Sequence, residues 1–207
     1  DGFVLMLPFT YDNNKVNKYV HHEKFFNSVM EYIDWSDKIG IRNVSDINKM
    51  LAEGKWNDLI FMSEATYNKN LLDISETISK NEDIKMVLIA GPSCSGKTTT
   101  SKKLEMFLES KGLNPVALSV DDYFKERIDT PLDEDGNKDY ESINAIDTEL
   151  FNDQLSRLLK GEEVILPTYN FITGQKEFKR RLKLKENAIL IIEGLHSLND
   201  ELTKTID

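Results

Sequence analysis

The sequence predicts an α/β fold, a parallel sheet with flanking helices, joined to a small and mostly helical N-terminal region. Three stretches carry that prediction. Residues 85–90 form a short apolar strand that runs directly into a glycine-containing loop at 91–98, and helical spacing follows from 98 to 110. Residues 115–120 return as a second strand once Gly112 has stopped that helix. Ala188-Ile189-Leu190-Ile191-Ile192 is apolar without alternation, the composition of a parallel strand buried on both faces. Strand, helix and returning strand make one parallel βαβ crossover.

At 207 residues, 40% of them apolar, the chain can bury a sizeable core and is neither disordered nor fibrous in class. Its 26 basic residues face 36 acidic ones, a net charge of -10, which sets it against nucleic-acid and anionic-membrane partners. A small phosphorylated ligand is compatible with that charge, because a few backbone amides and one lysine suffice to hold it. Cys94 is the sole cysteine, so no disulfide framework forms within one chain and a reducing, cytoplasmic location is expected. No apolar run approaches the ~18 residues that span a bilayer. The chain opens on Asp1 with an apolar stretch directly behind it, as an internal piece of a longer protein would.

In chain order, residues 2–10 are β-prone and Asp12-Asn13-Asn14 reads as a turn. Residues 21–38 carry Phe25, Phe26, Val29, Met30, Tyr32, Ile33 and Trp35 near helical spacing. A shorter helix is expected from 44 or 45 to 51 with Ser45 as its cap, and a third from 63 or 64 to 80. Adjacent His21 and His22 cannot share one helical face and read as surface or capping residues. Tyr19, Phe25, Phe26, Trp35, Trp56 and Phe61 read as core and docking residues. Residues 1–82 are taken as an accessory region and 83–207 as a second domain, with the seam at Asn81-Glu82-Asp83.

The loop Gly91-Pro92-Ser93-Cys94-Ser95-Gly96-Lys97-Thr98 has the form G-x-x-x-x-G-K-[ST], a phosphate-binding loop. Its glycines turn successive N–H groups inward, the following helix points its positive end at the anion, and Lys97 reaches the outer phosphates. The Thr98 hydroxyl is placed to hold Mg²⁺. These eight residues and Thr99 are the candidate nucleotide-binding set. Cys94 reads as filler within it.

In parallel sheets ligands gather beyond the carboxyl ends of the strands, and the second strand ends in Asp121-Asp122-Tyr123-Phe124. Phosphoryl transfer to a hydroxyl needs a carboxylate that orients the acceptor and takes its proton. Asp121, the first residue past the strand, is the candidate base. Asp122 is a group of the metal sphere or a solvent-facing one. Both acids would alternatively cap a following helical turn.

Residues 125–139 are charged and turn-rich, a mobile excursion whose acidic spacing is too short for an EF-hand. A helix is expected over 148–160, burying Leu150, Phe151, Leu155, Leu158 and Leu159. Residues 162–175 read as a strand and hairpin. Lys176, Lys179, Arg180, Arg181, Lys183 and Lys185 then either help to hold a phosphate or lie on an exposed ribbon. Glu193 ends the apolar strand where an acid holds Mg²⁺ in phosphate-loop enzymes. His196 either meets the acceptor or is an ordinary loop residue, and Asn199 and Asp200 start a last helix.

With these residues in place, 86–207 resembles the phosphoribulokinase and uridine kinase family, and within it the uridine kinase-like proteins with an N-terminal region similar to part of threonyl-tRNA synthetase. The marks are the loop, Asp121-Asp122-Tyr123-Phe124, and Thr130-Pro131-Leu132-Asp133-Glu134-Asp135-Gly136. They continue in Leu166-Pro167-Thr168-Tyr169-Asn170-Phe171-Ile172-Thr173-Gly174 and Ile192-Glu193-Gly194-Leu195-His196. Residues 1–82 look like the region joining the synthetase-like part to the kinase.

The resemblance implies a kinase that moves the γ-phosphate of ATP, or of GTP, to a primary hydroxyl on a ribose-containing small molecule, with Mg²⁺. It makes Lys97 and Asp121 catalytic and sets Asp121 against the acceptor hydroxyl. It adds Tyr123, Glu141 on the ribose hydroxyls, Tyr169 and Phe171 at the base, and His196 as substrate contacts. Thr98 and Glu193 become the metal contacts, and a homo-oligomer is implied.

Two departures leave the acceptor open between a nucleoside and another pentose-containing molecule. Glu141 is followed by Ser142-Ile143 where uridine kinases have a histidine and a proline, and Gly174 stands where they carry a histidine that reads the pyrimidine edge. A hydrogen-bonding pocket without its partner loses discrimination. The arginines of the lid helix would lie beyond residue 207, so these residues alone are expected to turn over little. The alternative is a catalytically weak nucleotide-binding module with a regulatory or interaction role. A GTPase is set aside for want of an N-K-x-D segment.

Overall fold

The structure, a computed structural model, describes residues 5–8, 15–16, 18 and 23–204. The turn at 12–14, Tyr19, His21 and His22 lie outside the described residues, as does most of the β-prone run at 2–10, of which residues 5–8 form no strand. The chain divides into two units, Asp1–Glu64 and Ala65–Asp207.

The first unit holds helices α1 (Glu23–Lys38) and α2 (Val44–Ala52) and the first turns of α3 (Trp56–Ser79). The cap of α2 is Asn43, not Ser45. Asn43 Oδ1 accepts from Ser45 N at 3.0 Å while Asp46 Oδ2 accepts from Asn43 N at 3.1 Å, a reciprocal capping box. Helix α3 begins well before the expected 63–64, because Gly54 at φ +73 closes α2 and lets a new helix start two residues later. Phe26, Trp56 and Phe61, expected in a core, are exposed.

The two units divide at 64/65, within α3, whose Leu71 and Ile78 are buried with Leu104, Leu108, Ile189 and Ile191 in the core of the second unit. No helix of the described residues is long and apolar enough to cross a membrane.

The second unit is the expected α/β layer structure. Strands β1 (Met86–Ala90), β2 (Asn114–Ser119) and β5 (Ala188–Gly194) form a parallel sheet in the order β1-β5-β2. Strand β5 takes the centre because all of its residues are buried, as only a strand covered on both faces and both edges permits. Its side chains alternate between the two faces. Ile189 and Ile191 meet α3 and α4 (Lys97–Glu109), whereas Leu190 and Ile192 meet Leu118, Val120 and α5 (Thr148–Leu159). Strands β3 (Val164–Asn170) and β4 (Gln175–Leu182) pair as a separate antiparallel hairpin.

Three local expectations need correction. Strand β2 stops at Ser119 and a 3-10 turn, Val120–Tyr123, follows, so Asp121 sits within a turn instead of directly past the strand. Residues 125–139 are tied down: Asp133 Oδ1 accepts from Asp135 N and Asn137 N, and Lys138 Nζ donates to Ile128 O and Thr130 O. The last helix is a single 3-10 turn, Asp200–Leu202, capped by Asn199.

Candidate active site

The strand order decides which groups meet. The neighbour of β1 is β5, with Glu193 opposite Ile89 and Gly194 opposite Ala90. Glu193 also stands opposite Ser119, the last residue of β2. The acid at the end of β5 thus lies between the loop after β1 and the turn after β2.

The loop is tightly wound. Gly96 adopts φ +87 at the N-cap of α4, and a Cβ on Gly91 would come within 2.7 Å of Ser95 Oγ. Cys94 also takes a left-handed φ of 61, and its thiol is exposed. The first N–H groups of α4 have no intrahelical acceptor and carry the positive end of its dipole. Lys97 Nζ donates to Pro92 O at 3.0 Å, across the loop it would close over a phosphate. Thr98 Oγ1 donates to the buried carboxylate of Glu193, 3.2 Å from Oε1.

Asp121 is half-buried beside this group. Burial pushes its carboxyl above the ordinary range, and the Glu193 charge adds to that, while Lys97 and His196 pull the other way. His196 presents a buried Nε2 without a hydrogen-bond partner. Asp122 is raised by burial too, but Oδ1 accepts from Tyr169 N at 3.2 Å and Arg180 opposes the rise. It ties the turn to β3.

Tyr123 does not join the site. Its ring is buried, edge-on to Phe151 with centroids 4.9 Å apart, and its hydroxyl donates to Gln154 Oε1 at 2.9 Å. Burial pushes its phenol far above the ordinary value. The aromatic that does cluster near the turn is Phe124, whose ring centroid lies 5.4 Å from Tyr140, 5.6 Å from Tyr169 and 5.9 Å from Phe171. Tyr169 is buried and Phe171 exposed, with centroids 5.0 Å apart. Glu141, next to Tyr140 in the chain, is exposed.

Two further findings concern the hairpin. Lys176 is buried in an ion pair with Asp147, the cap of α5, and is not available to a ligand. Lys179 and Arg181 are exposed and paired with Glu177 and Glu163 along the ribbon. Gly174 adopts φ +72, and a Cβ there would lie 2.7 Å from Arg127 Cβ. Arg127, which the sequence did not single out, donates from its amide to Gly174 O at 2.9 Å and from its guanidinium to Phe171 O and Ile172 O.

The residues present fit a nucleotide and its metal. A loop whose glycine could not carry a side chain without displacing Ser95 supplies the backbone cradle. Among the described residues no cluster of three or more His, Cys, Asp or Glu could hold a metal. The Thr98–Glu193 pair still suits Mg²⁺, which binds phosphates through few protein groups and keeps several waters.

The sequence profile described as "Phosphoribulokinase / Uridine kinase family" matches residues 86–206. A uridine kinase of Ligilactobacillus salivarius is 34% identical over 122 residues, 58% of this chain and 56% of that protein. A uridine kinase of Leuconostoc citreum is 30% identical over 118 residues, 57% and 56% of the two chains. The Arabidopsis thaliana protein named inorganic pyrophosphatase TTM2 is 34% identical over 128 residues, 62% of this chain and 18% of its own. The chain thus spans little more than half the length of the two uridine kinases. A solved structure described as a possible uridine kinase from Bacillus stearothermophilus superposes with a TM-score of 0.56 at 26% identity, covering 67% of this chain and 77% of that one. The profile's 86–206 takes in the loop, the Asp121 turn and Glu193: the chain belongs to the phosphoribulokinase/uridine kinase family.

Proposed function

We propose that the protein is an ATP-dependent small-molecule kinase that transfers the γ-phosphoryl group to a primary hydroxyl of a ribose-containing acceptor. The observation that carries this reading is the grouping of Lys97, Thr98, Glu193 and Asp121 where three parallel strands end. Residues 91–99 bind the nucleotide phosphates, and Lys97 turns from Pro92 O to the transferring group. Thr98 and Glu193 would hold Mg²⁺, which would neutralise phosphate charge. Asp121 accepts the proton of the acceptor hydroxyl as that oxygen forms its bond to phosphorus and the bond to the ADP oxygen breaks. A carboxylate raised above the ordinary range is a better base than a free aspartate. Tyr169 and Phe171 wall the far end of the acceptor, with Glu141 and His196 contributing at its flanks.

In this reading residues 1–82 serve as the accessory region that joins a synthetase-like part to the kinase, and the protein works in the cytoplasm as a homo-oligomer. The test is incubation of the full chain with γ-labelled ATP, Mg²⁺ and a panel of nucleosides and pentose derivatives. Label is expected in a phosphorylated acceptor. Label only in free phosphate would instead indicate hydrolysis, and nucleotide binding without either product would indicate a regulatory module.

A further inference from the structure

The first turn of α4 is held from two sides. Thr98 Oγ1 donates to Glu193 of β5, and the hydroxyls of Thr100 and Tyr67 share a hydrogen bond of 2.7 Å. Residues two apart on a helix stand about 200° around its axis, so the two grips are nearly opposite. The N–H groups that form the candidate phosphate cradle share this turn. Thr100 N donates to Gly96 O at 2.9 Å, closing the turn on its left-handed N-cap glycine. Tyr67 thus holds, by its side chain, the residue that closes the turn.

Tyr67 is itself fixed. Lys103 Nζ lies 4.6 Å from the centroid of its ring, a cation–π contact, and donates to Asn68 Oδ1 at 3.2 Å. Lys103 is three residues on from Thr100, so both contacts fall on one face of α4. Tyr67 is half-buried and packs against the cluster in which Leu71 and Ile78 of α3 meet Leu104 and Leu108 of α4. A contact has to outweigh the entropy of ordering the groups that make it, and here the ring is already ordered. Tyr67, Asn68, Thr100 and Lys103 all belong to the second unit. Helix α3 nevertheless ends at Ser79, ahead of the family-matched residues 86–206.

We propose that Tyr67 is a positioning residue for the nucleotide. Through Thr100 it fixes the first turn of α4, so that the N–H groups there meet the phosphates without first having to be ordered. Affinity gained in this way is preorganisation, supplied by the residues behind the site. A helix outside the family-matched segment is thereby a working part of the phosphate site. This inference rests on the reading of residues 91–99 as nucleotide-binding, and its test separates the two.

The experiment measures Mg²⁺-ATP binding by calorimetry and γ-label transfer with the full chain. Tyr67→Phe keeps the ring beside Lys103 and removes only the hydroxyl. Its Kd and KM for ATP are expected to rise about 3–10-fold, the range of one hydrogen bond's net worth, with kcat nearly unchanged. Thr100→Val should match it, and the double variant should be no worse than either single one. Thr100→Ser keeps the hydroxyl and should bind ATP as the wild type does. Ile78→Val, a core change at the far end of α3, controls for general loosening: it should lower Tm comparably and leave ATP affinity alone. Unchanged affinity in Tyr67→Phe overturns the inference. So does an equal loss in Ile78→Val, or losses that add in the double variant. A wild-type chain that binds no ATP overturns the inference together with the nucleotide reading. ATP binding that depends on Tyr67 without label transfer keeps the inference and rejects the kinase reading.

Discussion

Thr98 Oγ1 and Glu193 Oε1 lie 3.2 Å apart, joining the first turn of α4 to the end of the central strand. The pair links the loop at 91–98 to the strand that also borders Asp121, so the proposed metal contacts and the proposed base share one support. Glu193→Gln keeps a hydrogen-bond acceptor for Thr98 but removes the charge. Metal affinity in the nucleotide complex should fall about 10–100-fold. A Mg²⁺ titration of nucleotide binding checks this, with binding of metal-free nucleotide changed far less.

The same substitution removes a like charge from beside Asp121, whose elevation owes most to burial and next to Glu193. In Glu193→Gln the Asp121 carboxyl should move down toward the ordinary aspartate range without reaching it. Titration of the Asp121 side-chain carboxyl by NMR in both proteins measures the shift. No change would place Glu193 too far away to matter.

Asp121 also makes a stability prediction with a definite sign. Its folded pKa is raised, so below the ordinary aspartate value both folded and unfolded chains carry the proton and nothing differs. As pH rises through the ordinary value, the unfolded chain ionises first and folding loses stability until the folded carboxyl has ionised too. Asp121→Asn should therefore raise Tm near pH 7 and leave it unchanged in strong acid. A gain of about 1 kcal/mol appears as roughly 2–4 °C in a chain of this size.

Tyr123→Phe separates a core role from a substrate contact. The lost bond to Gln154 Oε1 should cost about 1 kcal/mol of stability. KM for the acceptor and kcat should stay as they are, since the hydroxyl faces α5. A raised KM with an unchanged Tm would return Tyr123 to the site.

Gly194→Ala tests the close contact behind the proposed base, Asp121. An added Cβ would stand 2.6 Å from Val120 Cβ, in the turn that carries Asp121. Relief requires strand and turn to separate, at about 1–3 kcal/mol. Chemical denaturation gives the stability change, and transfer activity should fall with it because Asp121 moves.

Much of this was legible in the sequence, for identifiable reasons. The loop at 91–98 and the strands around it announce themselves through glycine, apolar runs and helix stops, because those features are local. The strand order was not legible: β5 comes last yet inserts between β1 and β2, pairing residues 104 positions apart with the first and 74 apart with the second. It makes Glu193, and not Asp121, the acid on the strand adjacent to the loop. The surroundings of Tyr123 and Phe124 depend on a 3-10 turn that sets one ring against Phe151 and the next against Tyr140 and Tyr169, both within one buried cluster. Arg127 carried no signal among many charged neighbours. Gly174 was the one hint, since a glycine with positive φ often makes room for something else.

Single-turnover transfer of labelled γ-phosphoryl, wild type against Asp121→Asn with nucleotide affinity measured in parallel, bears most directly on the claim that loop and turn form one transfer site. The expected result is loss of acceptor labelling by about 10²–10⁴-fold with nucleotide affinity nearly unchanged. Full labelling by Asp121→Asn, at equal nucleotide affinity, would contradict the account.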